Sequence, residues 1–156
     1  MDASGNTASP YLDPKSRTSL GMTLLRLAGG TFATAGTMLA LDAAWLMSMT
    51  PRFYKPRLGG LMAETPSLAP AVAFYLLYVV AIIALAVLPA LDGGWSRLLG
   101  NAALLGLTAY GTYDLTNQAT LKGWPLSVTL ADMAWGVAAT TAAACAGYVA
   151  LLRLGA

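Results

Sequence analysis

Four apolar runs, each long enough to cross a bilayer, leave this chain few folds to choose from. They fall at about residues 27–49, 67–91, 98–116 and 126–152. An α-helix rises ~1.5 Å per residue, so about 20 residues cross the ~30 Å of hydrocarbon in a membrane. Within that hydrocarbon every backbone N–H and C=O must be paired inside the protein, which leaves helices or closed barrels. The runs are continuously apolar and do not alternate, which argues against a barrel. Charge agrees: 10% of the 156 residues are charged, against about 25% in a soluble domain, too little to coat a water-exposed surface. The expected fold is an all-α membrane protein, a bundle of four antiparallel transmembrane helices over residues 21–156. Residues 1–20, with Ser, Thr, Asn, Gly and two prolines, read as a disordered tail.

Two absences narrow the chemistry. The chain has no histidine, and so lacks the usual proton shuttle and the commonest transition-metal ligand. Its one cysteine, Cys145, can form neither an intramolecular disulfide nor a zinc cluster. Between Ala144 and Ala146 it reads as a small filler between helices. No cofactor and no metal is expected. A net charge of +2, thinly spread, does not suggest nucleic acid as a partner. Membrane lipids do suit this surface, as would a second copy of the chain or a partner membrane protein.

The polar residues that remain are concentrated. The densest stretch runs from Tyr110 through Tyr113, Asp114, Asn117 and Lys122 to Trp124-Pro125, and on to Asp132 and Trp135. In an up-down bundle Asp42 lies late in the first helix, Asp114 at the end of the third and Asp132 early in the fourth, all toward one face of the membrane. Tyr110, Tyr113, Asp114 and Asn117 fall at helical spacing on one stripe. Thr129, Asp132, Gly136 and Thr140 make a second, with Trp135 beside it. Met38, Asp42, Trp45 and Met49 make a third. An aspartate at the centre of a membrane helix costs roughly 2.5–3.5 kcal/mol to insert, and no lysine or arginine is embedded beside these. Asp42, Trp45, Tyr110, Tyr113, Asp114, Asn117, Lys122, Asp132 and Trp135 are therefore the expected polar site, with Asp114 the nearest to solvent.

The motif Asp42-x-x-Trp45 returns as Asp132-x-x-Trp135, which suggests a paired site. Residues 50–67 mix Arg52, Lys55 and Arg57 with Phe53, Tyr54 and Leu58, a composition that lies along headgroups; the three cations read as headgroup contacts. Trp95 and Trp124 read as interfacial anchors. Function stays open between three classes. One is binding or modification of a lipid or other amphiphile at the aspartates. Another is a small proton- or cation-coupled transporter. The third is an accessory subunit in which the polar residues only lock helices together.

Several of these segments carry a resemblance. Leu41-Asp42-x-x-Trp45-Leu46, Phe53-Tyr54, Leu61-Met62, Phe74-Tyr75-Leu76-Leu77-Tyr78, the run Tyr113 to Pro125 and Asp132-x-x-Trp135-Gly136 resemble a bacterial family of predicted membrane proteins, domain of unknown function 2177. The similarity spans about residues 37–150. It implies a small four-helix, multi-pass protein of the cell inner membrane and carries no activity with it.

Overall fold

The computed structural model describes residues 14–155, with side chains from Ser19 onward. Helix α1 runs Pro14–Met49 and passes into a π-helical turn, Thr50–Tyr54. A short α2 (Lys55–Leu58) and a 3-10 turn (Gly59–Leu61) follow. Then come α3 (Leu68–Ile82), a second π-helical segment (Ile83–Val87), α4 (Leu88–Thr120) and α5 (Leu126–Arg153). The described residues contain no strand. Helix α1 begins well before residue 27, so residues 14–20 are helical rather than part of the expected tail. The rest of that tail lies outside the described residues.

Three helical runs are long and apolar enough to cross a membrane: Ser19–Leu61, Leu68–Thr120 and Leu126–Arg153. Four separate helices were the expectation. The second and third instead join into one run of 53 residues. The cause is local. Asp92-Gly93-Gly94 looks like a turn in sequence, yet helical geometry persists through Pro89 and Gly93 and fails only at Gly94 (φ 67°, ψ −166°). That region of backbone space is essentially reserved for glycine. Pro89 has no N–H to offer the carbonyl four residues earlier, that of Leu85. Asn101 Nδ2 donates to that carbonyl at 2.8 Å. A contact between residues sixteen apart, centred next to Gly94, means that the chain doubles back there.

Helix α5 is the hub, packed against both α1 and α4. Its buried face is built from small residues, among them Gly136, Ala139, Thr140, Ala143, Ala144 and Gly147, which let helix backbones approach closely. A Cβ on Gly106 of α4 would strike the carbonyl of Gly136, and one on Gly147 would strike Thr34 Oγ1 of α1. Thr34 satisfies its hydroxyl within its own helix, donating to Gly30 O at 3.0 Å. Gly30 meets Leu151 and Gly147, whereas Asp42 meets Trp135, so α1 and α5 are antiparallel. Large apolar side chains such as Phe32 and Met47 point outward, each more than three-quarters exposed, as a hydrocarbon surround requires.

Candidate functional site

On α1 the stripe read from sequence faces the bundle: Met38 is fully buried and Asp42 only 6% exposed. Both oxygens of Asp42 are engaged across helices. Oδ1 accepts the indole Nε1–H of Trp135 at 2.9 Å, and Oδ2 accepts the hydroxyl of Tyr75 on α3 at 2.8 Å. Asp132 is held by a second such set. Its Oδ1 accepts the hydroxyl of Tyr54, whose oxygen in turn accepts the indole N–H of Trp45 at 2.8 Å. The two indoles stack, centroids 4.2 Å apart and planes within 10°.

The repeated Asp-x-x-Trp motif therefore has a structural meaning. On antiparallel helices the two copies face each other head to tail, and each tryptophan serves the opposite helix's aspartate, Trp135 directly and Trp45 through Tyr54. Tyr54 reaches its place because α1 continues as a π turn around Pro51. Proline breaks the regular ladder, and a widened turn absorbs the break. Tyr54 is thereby buried rather than lying along headgroups.

Beside this pair opens a cleft of about 610 Å³. Asp42, Trp45 and Leu46 of α1 and Asp132 and Trp135 of α5 form one part of its wall. Ala71, Phe74 and Tyr75 of α3 and Ala109, Tyr110 and Tyr113 of α4 form further parts. The segment after α1 contributes Tyr54, Leu58, Leu61 and Met62. Tyr78, deeper on α3, shares a 2.6 Å hydrogen bond with Thr140 and stacks on Phe74.

Six of the nine residues expected at the polar site line this cleft: Asp42, Trp45, Tyr110, Tyr113, Asp132 and Trp135. Asp114, Asn117 and Lys122 do not. Asp114 and Tyr113 share a stripe in sequence, but the stripe divides: Tyr113 is 59% exposed and Asp114 fully buried. Helix α4 packs its Asp114 edge against α5, so the expectation of near-solvation fails there. Among the described residues, both carboxylate oxygens of Asp114 and the side-chain oxygen of Gln118 one turn later find no hydrogen-bond partner. Lys122 is exposed, as are Arg52, Lys55 and Arg57. The Arg57 guanidinium sits 4.0 Å over the Phe53 ring and donates to the Phe53 carbonyl at 3.1 Å.

Sequence reasoning missed Tyr54, Tyr75 and Trp124 as members of the site. Trp124, expected as an interfacial anchor, turns inward, donating to Thr129 Oγ1 at 3.1 Å and meeting Tyr113 edge to face. Trp124 lies between Asp114 and Asp132 in the same polar-aromatic stretch, whereas Tyr54 and Tyr75 lie in segments that carry none of the three acids. Among the described residues no group of His, Cys, Asp and Glu is arranged to hold a metal ion.

No curated protein and no solved structure matches the chain. The family described as Predicted membrane protein (DUF2177) matches residues 29–149. That is more than three-quarters of the chain, which spans the cleft and both Asp-x-x-Trp motifs and belongs to this family.

Proposed function

We propose that the protein is a multi-pass inner-membrane protein that binds an amphiphile, a lipid or a molecule like one, in the cleft between α1, α3, α4 and α5. On this reading the chain crosses the membrane four times, the reversal at Gly94 dividing the long run into two crossings. The observation that supports binding is the cleft itself. Its volume of about 610 Å³ lies within the ~300–1,000 Å³ range of small-molecule sites. Its walls are mainly aliphatic and aromatic, with two aspartates set among them. Such a surface suits a ligand with an apolar body and one polar end. The aspartates already hold α1, α3 and α5 together through Trp135, Tyr75 and Tyr54, so the polar end of the cleft is rigid before a ligand arrives. Preorganisation of this kind reduces the ordering cost of binding.

The test uses the full chain extracted from its native membrane and examined by native mass spectrometry. Wild-type protein should carry a bound amphiphile of defined mass. Ala71→Phe, which projects a ring into the cleft, should lose it while keeping its helical circular dichroism. An identical complement of bound molecules on both proteins would end the proposal.

A further inference from the structure

Resting on that reading, we infer that the polar end of the ligand is cationic: an amphiphile with an amine or quaternary ammonium head, rather than a phosphate- or carboxylate-bearing one. The chemistry of the wall favours a cation. Of the nineteen described residues that line the cleft, two are ionisable carboxyl residues, Asp42 and Asp132, and none is a lysine or arginine. Eight of the nineteen are aromatic. An aromatic ring presents a negative face, and rings arrayed around an acidic group are the arrangement that recognises ammonium ions. Here Trp135 and Tyr75 hold Asp42 by an N–H and an O–H donor, and the Tyr54 hydroxyl, itself engaged by the Trp45 indole, holds Asp132.

An anionic head would meet the opposite conditions. It would approach two acids through a wall containing no cationic side chain, in a medium where like charges repel strongly. The cations nearest in sequence to the cleft wall, Lys55 and Arg57, flank Tyr54 and Leu58 but are themselves exposed. Arg57 already engages the ring and carbonyl of Phe53. The apolar remainder of the wall, Leu46, Leu61, Met62 and Phe74 among it, suits a hydrocarbon or aromatic body on the same ligand.

Three probes that differ only at the head separate this inference from the reading beneath it. They are dodecyltrimethylammonium, dodecanol and dodecanoate, each titrated into the full-length protein in dodecyl maltoside micelles. Trp45, Trp124 and Trp135 line the cleft, so occupancy is read from tryptophan emission. Site binding is the saturable emission change that Ala71→Phe abolishes. The ammonium probe should bind at least tenfold more tightly than the alcohol, and the carboxylate more weakly than either. Asp132→Asn should weaken the ammonium probe by about tenfold and leave the alcohol within about twofold, as removal of one charge requires. The wild-type series decides the matter even if that variant does not fold. If the alcohol or the carboxylate binds as tightly as the ammonium, the cationic inference is overturned and amphiphile binding stands. If no probe causes an emission change that Ala71→Phe removes, both fall.

Discussion

At Asp42 two neutral donors from different helices converge on one carboxyl group, the indole of Trp135 and the hydroxyl of Tyr75. A buried polar group left without a partner costs on the order of 1–3 kcal/mol, so the pair is worth more to α1 than its number of bonds suggests. Trp135→Phe keeps an aromatic ring against Trp45 but removes the N–H, and Tyr75→Phe removes the other donor. Each should destabilise the protein by about 1–2 kcal/mol, read from unfolding in mixed micelles. Because both donors serve the same side chain, the double variant should depart from the sum of the singles by about 0.5 kcal/mol or more. Strict additivity would mean that the two bonds do not share Asp42. Asp42 and Trp45 were legible in the sequence because their four-residue neighbourhood repeats at Asp132 and Trp135. Tyr54 and Tyr75 were not, because nothing local tells an aromatic beside a loop whether it turns toward headgroups or toward an acid on another helix.

At the level of helices, the apolar runs foretold where helices lie, while their junctions depended on single residues. Hydropathy located α5 almost to the residue. It could not show that helix persists to Gly93, since Asp92-Gly93-Gly94 carries every mark of a turn. Only the pairing of Asn101 with the Leu85 carbonyl, a contact between segments, reveals what holds the reversal. Gly94→Ala places a side chain in a backbone region that costs about 1–3 kcal/mol to occupy. Asn101→Leu should cost about 1 kcal/mol by leaving the Leu85 carbonyl without that donor. Both losses should appear as faster hydrogen exchange confined to residues near 85–101. Exchange that rises equally throughout α5 would show that this hairpin is not an independently held element. The Asp114 stripe failed for a related reason: helical spacing says which residues share a face, and the neighbouring helix decides which edge of that face is covered.

For the molecule as a whole, the antiparallel pairing of α1 with α5 and the reversal at Gly94 have a consequence for topology. The four crossings proposed above would put the segment after α1 and the connection before α5 on one membrane face, with the Gly94 turn and the end of α5 on the other. If the 53-residue run instead crossed once, the first two would lie on opposite faces. At ~1.5 Å per residue that run would be about 80 Å long as a straight helix, far beyond a hydrocarbon thickness of about 30 Å, and the Asn101 contact could not form. Single cysteines introduced at Glu64, Lys122, Ser96 and Leu154, all exposed, in a Cys145→Ala background distinguish the two arrangements. With a membrane-impermeant maleimide, Glu64→Cys and Lys122→Cys should label from the same side, and Ser96→Cys and Leu154→Cys only from the other. The same outcome would place the cleft's polar residues toward the first of those faces, since Tyr54 and Trp124 flank the two connections there. Labelling of positions 64 and 122 from opposite sides would dismantle the four-crossing arrangement, and with it the claim that the Asp-x-x-Trp motifs meet within a single bundle.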